Sequence, residues 1–177
     1  TGRATVPVLY DKATRTIVSN ESADILRMLD SGFGALASGP ALYPDDLRAG
    51  IDALNDRIYP RLNNGVYRAG FATTQGAYDE AVAEVFAQLA ELEERLSDGR
   101  LFVTLVRFDA AYHGLFKCNL KRIADHPHLQ AHMLRVLDLP GVRGTVSLDH
   151  IKRGYYSIRA LNPTGIVPMG PALDWAT

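Results

Sequence analysis

Four tyrosines, Tyr67, Tyr112, Tyr155 and Tyr156, lie at or near the ends of apolar stretches in this 177-residue chain. A phenol so placed can donate a proton to a departing group or hold a thiolate by hydrogen bonding. Periodicity alone describes them equally well as packing residues with polar tips. Tyr112 closes the segment LFVTLVRFDAAYH, whose apolar residues leave almost no polar face. Arg107 and Asp109 sit inside that segment, where a charge is costly to bury unless paired or hydrogen-bonded. The two are therefore expected in a structural network that fixes neighbouring loops. Glu21 and Ser22 fall at the start of a short helical pattern. There they either satisfy the free amides and the helix dipole or mark an anion site.

Two further groupings invite chemistry and do not complete it. His126, His128 and His132 include an i, i+4 pair with the spacing of zinc ligands. No Glu lies between that pair and no cysteine pair completes a set, so no metal site is expected. Cys118 stands beside Lys117 and Lys121, but without a helix start or a base next to it a buried or inert thiol is expected.

The elements that must position these residues follow from pattern. TVPVLY (5–10) and 16–18, joined by the polar turn 11–15, predict a hairpin, with Pro7 at an edge or bend and a Val6–Pro7 bond open to the cis form. Ser19-Asn20 predict the cap of a helix over 21–29. The Gly- and Ser-rich stretch from Asp30 reads as a linker over 31–43. Beyond it the strand signals stop. A helix is expected from Pro44 to before Pro60, and a long one after Thr73 or Thr74, whose acidic end at Glu91, Glu93 and Glu94 reads as a solvated face. The segment from Leu101 to His113 is predicted as a central buried helix. Leu115 to Ala124 reads as a helix with a basic outer face. Further helices are expected from Pro127 to Leu137 and from about Ser147, and Asn162 to Pro171, rich in Pro and Gly, as an extended tail. VYRAGF (66–71) is ambiguous, leaving Tyr67 and Arg68 at surface, core edge or cleft.

The net charge of −1 and pI near 6.5 give no footprint for nucleic acid or a membrane surface. A single cysteine and no opening signal segment point to a cytoplasmic setting. No apolar run approaches the ~20 residues of a membrane span. The chain enters a strand-like segment with no earlier element to pair with it, as a fragment would.

The order hairpin with Val-Pro, Glu-Ser opening a helix, then an all-helical region resembles a cytosolic glutathione transferase. RATVPVLYDKATRTIVSNESADI, LNDRIYPRLNNGVYRAGFATTQGAYDEAV, RFDAAYHGLFKCNLKRIADHP, DHIKRGYY and NPTGIVPMGP closely resemble the glutathionyl-hydroquinone reductases, also called Xi-class glutathione transferases. The resemblance implies α/β plus all-α architecture. Residues 1–30 would be the second half of a thioredoxin-like glutathione-binding domain, 31–43 the linker, and 44–177 a helical domain with an extended tail. It implies glutathione as co-substrate, an aromatic glutathionyl-hydroquinone as substrate, and a homodimer. Arg3, Thr5 and Val6 would border the glutathione, with Val6 offering its backbone beside a cis Pro7. Glu21 and Ser22 would hold its γ-glutamyl end, Ser22 and the helix N-terminus suiting the carboxylate and Glu21 the ammonium. Tyr67 matches the family's proton donor. Tyr112 and Tyr155 match tyrosines that assist the thiolate and line the hydroquinone pocket. Two departures stand out. The family's Cys-Pro-Trp nucleophile is not in this chain, and Cys118, in FKCN, matches a different position. A family segment with a helix-capping Thr and Asp is also lacking between Arg100 and Leu101. A non-catalytic binding or scaffold protein is the alternative reading.

Overall fold

The structure, a computed structural model, describes residues 5–36, 41–95 and 102–176. The chain divides into two compact units, up to Asn55 and from Asp56 onward.

In the first unit, β1 (Leu9–Asp11) pairs antiparallel with β2 (Thr16–Ser19), with Tyr10 opposite Ile17 and Asp11 opposite Thr16. The turn between them closes on Asp11, whose carboxylate accepts from the Ala13 amide at 2.7 Å and the Thr14 amide at 3.3 Å. This is the local bonding for which Asp favours turns. The Val6–Pro7 bond that leads into β1 is cis. Helix α1 (Ser22–Ser31) follows. Its cap is Glu21 rather than Ser19-Asn20, because the Ser19 hydroxyl is occupied by the Glu21 amide at 3.1 Å. Ile25 is its buried residue, while Val6, Ile17 and Leu26 are more than half exposed. The segment read as linker is tied back through Asp30, whose carboxylate accepts from the Leu42 and Tyr43 amides. Asp52 then takes both the Tyr43 hydroxyl, at 2.6 Å, and the Arg27 guanidinium, at 2.8 Å.

Helix α2 (Arg48–Ile58) starts later than Pro44 suggests and does not stop the helical path at Pro60. Pro60 lacks the N–H needed to continue an α ladder, and residues Tyr59–Asn63 form one wide π turn closed by the Asn64 amide on the Tyr59 carbonyl at 2.8 Å. The turn delivers the chain into α3 (Gly65–Gly70), which resolves VYRAGF as helix. Helix α4 (Gln75–Arg95) is capped by the Thr74 hydroxyl, as predicted, and buries Val82, Val85, Leu89 and Leu92.

The predicted central helix is corrected in its geometry. Leu101 lies outside the described residues, as does the junction at Arg100. Helix α5 is only Val103–Arg107, and Phe108–Tyr112 form a second π turn. The central burial holds from Leu105 onward, but Val103 is 55% exposed. The Thr104 hydroxyl donates to the Asn63 side-chain oxygen at 2.7 Å, joining α5 to the first π turn.

No helix spans Leu115 to Ala124. The backbone turns left-handed at Lys117 (φ 59°), and only Ile123–Asp125 form a single 3-10 turn. Amphipathic spacing is overridden there by tertiary bonds. The buried Asp109 carboxylate accepts from the Ile123 amide at 2.7 Å and the Ala124 amide at 3.3 Å, drawing the chain inward. Asp109 is thus the loop-fixing residue its burial demanded.

Helix α6 (Pro127–Leu137) follows, and its exposed amides correct the reading of the acidic end of α4. Glu93 is not merely solvated: it accepts from the His128 and Leu129 amides, each at 2.8 Å. Glu91 pairs with Arg57 at 3.1 Å. Helix α7 (Leu148–Tyr156) begins about where expected, with the Ser147 hydroxyl accepting from the His150 amide as its cap. Lys152 on α7 donates to the Met169 carbonyl at 2.6 Å, fastening the irregular tail. Among the described residues, no helix is long and apolar enough to cross a membrane.

Candidate active site

Three of the predicted tyrosines converge in the second unit, each brought by a different element. Tyr67 comes from α3, Tyr112 from the 108–112 π turn and Tyr155 from α7. Their hydroxyls form a chain, Tyr112 to Tyr155 at 2.7 Å and Tyr155 to Tyr67 at 3.0 Å. Phe116 is the floor: its ring centroid is 5.2 Å from that of Tyr67, 5.3 Å from Tyr112 and 5.9 Å from Tyr155. Edge and tilted contacts of this kind add about 0.5–1.5 kcal/mol per pair beyond area burial. Gly70 permits the approach, since a Cβ there would lie 2.7 Å from the Phe116 ring. Sequence pattern missed Phe116 as a site residue because it was assigned to the apolar face of a helix that does not form.

Burial grades the three phenols. Tyr112 is 3% exposed, Tyr155 part-buried, and Tyr67 36% exposed. Burial raises the Tyr112 pKa above the ordinary phenol value, with the neighbouring Tyr155 adding to it. Burial also pushes Tyr155 up to about 12, while the hydrogen bond from Tyr112 and the Arg107 charge act in the opposite direction. Burial thus holds the protons on Tyr112 and Tyr155, and Tyr67 is the exposed end of the chain. Tyr156 does not join them. Its hydroxyl packs over Gly114.

Cys118 is fully buried, its thiol directed at the Phe116 carbonyl at 3.8 Å, and burial pushes it up to about 12. It is not a nucleophile in this setting. His126 and His132 are buried and His128 is exposed beside Glu93. Among the described residues no group of three His, Cys, Asp or Glu could hold a metal ion.

Of the residues proposed for glutathione, Arg3 lies outside the described residues. Thr5 accepts from the Asn20 amide group at 3.0 Å, and Val6 is 89% exposed. Glu21 caps α1 through its backbone, with no side-chain cap bond, and Ser22 is the first helical residue. Both side chains are exposed.

A hairpin entered through a cis Val-Pro bond, a following helix, and a helical unit built on a long helix and a buried central segment are the parts of a glutathione-transferase-type fold. Comparison agrees. No family model matches the chain. A glutathionyl-hydroquinone reductase of Sphingobium chlorophenolicum, PcpF, is 49% identical over 97% of this chain and 60% of its own length. The glutathionyl-hydroquinone reductase YqjG of Escherichia coli is likewise 49% identical, over 98% of this chain and 57% of its own. The glutathione-bound structure of YqjG superposes with a TM-score of 0.94 at 48% identity, covering 99% of this chain and 62% of that one. Glutathione transferase Xi 1 of Trametes versicolor gives 0.90 at 42% identity, over 96% and 65%. Over nearly its whole length the chain is thus similar to glutathionyl-hydroquinone reductases and Xi-class glutathione transferases. It spans about three fifths of the length of these two curated relatives.

Proposed function

We propose that the intact protein reduces glutathionyl-hydroquinones to hydroquinones at the expense of glutathione. The observation that carries this reading is the hydrogen-bonded trio of phenols with Tyr67 at its exposed end. Such an array suits protonation of a carbon leaving group, which cannot depart as a stable anion in the way a thiolate can. A cysteine thiolate outside this chain attacks the glutathione sulfur, and the sulfur–sulfur bond forms as the carbon–sulfur bond breaks. The electron pair stays with the ring carbon, which takes the Tyr67 proton. A second glutathione resolves the cysteine–glutathione mixed disulfide. Tyr112 and Tyr155 support Tyr67 and line the aromatic pocket.

Residues 1–30 supply the glutathione-binding part, with 31–43 as linker and 44–177 as the helical domain. Glutathione is held through the Val6 backbone, with Arg3 and Thr5 alongside. Ser22 and the α1 N-terminus face its carboxylate and Glu21 its ammonium. The exposed, uncapped state of Glu21 and Ser22 supports this placement. A homodimer in the cytoplasm completes the reading, the dimer from family resemblance and the compartment from the cysteine content.

Tyr67→Phe in the intact protein tests the mechanism. General acid catalysis typically contributes ~10²–10⁴-fold, so reduction of a glutathionyl-hydroquinone should slow by about that factor. Thiol transfer to a small disulfide should be largely retained. Equal loss of both activities would make Tyr67 structural, and no loss of either would place the proton donor elsewhere.

A further inference from the structure

The three phenols are not equally anchored. Tyr112 and Tyr155 hold each other, with ring centroids 5.3 Å apart, and Tyr112 also packs against Phe108 at 6.1 Å. Tyr67 stands at the rim and meets Tyr155 through its hydroxyl. A hydrogen bond at an exposed rim competes with water and contributes little net, so ring packing must decide where that hydroxyl stands. The nearest ring to Tyr67 is Phe116, edge-on at 5.2 Å, with Tyr112 farther off at 5.9 Å. Phe116 is itself fully buried and located from several sides. Tyr67, Gly70 and Phe71 fall at i, i+3 and i+4 and so share one face at the end of α3. A Cβ at Gly70 would lie 2.7 Å from Phe116 Cγ and 2.9 Å from Cδ1, and the Phe71 ring is 5.9 Å away. The chain on either side is pinned as well. The Leu115 amide donates to the Ala111 carbonyl at 2.9 Å and the Cys118 amide to the Tyr112 carbonyl at 3.1 Å, while Tyr78 of α4 donates to the Lys117 carbonyl at 2.7 Å.

We propose that Phe116 is a positioning residue for the reaction proposed above, its ring, seated in the notch at Gly70, holding the Tyr67 hydroxyl in line with Tyr155 without touching substrate. A proton donor acts only within about 2.6–3.2 Å of the atom it protonates, and a displacement on the order of 1 Å can cost ~10²-fold in rate. Without the ring beneath it, Tyr67 is free to turn toward solvent and out of that reach. Tyr112 and Tyr155 keep their mutual contact and their 2.7 Å bond whether or not Phe116 is present. The role rests on the reductase reading for its chemistry, but the placement of Tyr67 can be measured without turnover.

The test compares Phe116→Leu and Gly70→Ala in the intact protein. Leucine keeps the seat apolar and removes the ring edge under Tyr67, whereas the alanine methyl leaves every side chain of the site present and forces the ring from its seat. With a glutathionyl-hydroquinone, kcat should fall about 10–100-fold in either variant, with KM within about threefold because Phe116 is shielded from substrate. Disulfide exchange, whose sulfur leaving group takes no proton from Tyr67, should fall by less than about threefold. Added to Tyr67→Phe, Phe116→Leu should cost less than about a further threefold, since the group it places is already gone. Independently, crystal structures of the variants should show the Tyr67 and Tyr155 hydroxyls separated beyond about 3.5 Å, outside hydrogen-bond reach. If Phe116→Leu does not fold, Gly70→Ala carries the same measurements. An unchanged separation, equal loss of both activities, or full additivity with Tyr67→Phe overturns the proposal. Should the unaltered protein not turn over glutathionyl-hydroquinones, the reductase reading fails while the hydroxyl separation still decides whether Phe116 places Tyr67.

Discussion

Tyr67, Tyr112 and Tyr155 are the same residue type made unlike by surroundings. The most buried, Tyr112, has its proton held firmly by burial, and Tyr67 is the most exposed of the three. Cys118 shows the same principle with the opposite consequence. Lys117 and Lys121 lie close to it in sequence and on a helix would flank the thiol and favour the thiolate. The backbone instead turns at Lys117, leaving that residue exposed while the thiol is fully buried. With burial pushing it up to about 12, the thiolate is only about one part in ten thousand near pH 8. Native protein should therefore label at Cys118 with iodoacetamide far more slowly than denatured protein. Cys118→Ala in the intact protein should keep its turnover. Loss of activity with the fold intact would contradict the assignment.

At the scale of elements, helices with local stop and start signals were legible. Thr74, Pro127 and Ser147 stand where α4, α6 and α7 begin. The segments that misled are those whose shape is set from a distance. Leu115 to Ala124 has helical spacing, yet Asp109 takes the Ile123 and Ala124 amides and Tyr78 donates to the Lys117 carbonyl at 2.7 Å. Neither partner is within the window over which periodicity is read. The π turns were equally hidden, since their residues look helical and only the missing Pro60 amide hinted at one of them. Asp109→Ala should consequently be among the more damaging single changes in the second unit. It strands two amide donors, each costing about 1–3 kcal/mol when buried without a partner. Denaturant unfolding should show a loss on the order of 2–6 kcal/mol if both are stranded. A loss below about 0.5 kcal/mol would mean water satisfies them and Asp109 is not the clamp.

For the molecule as a whole, the family resemblance was legible because long ordered matches survive where local pattern is ambiguous. The tyrosine residues of the site came from those matches, whereas the aromatic floor emerged only in three dimensions. The charges buried to make this core also set how stability responds to pH. Burial lowers the pKa values of His126 and His132, below the value near 6.5 of the unfolded chain. The unfolded state therefore binds more protons than the folded state as pH falls from about 6.5 toward the folded values. Their contribution is fully present above that range and lost on acidification. Asp109 runs the other way, because burial raises its pKa: its contribution is full below the unfolded carboxylate value near 3.8 and is lost as pH rises through the folded one. The histidines act first on leaving neutral pH, so the melting temperature should fall between pH 7.5 and 5.5. The fall should be shallower in a His126→Gln, His132→Gln double variant. A melting temperature that is flat or rises over that interval in the unaltered protein would show that neither histidine remains neutral in the fold.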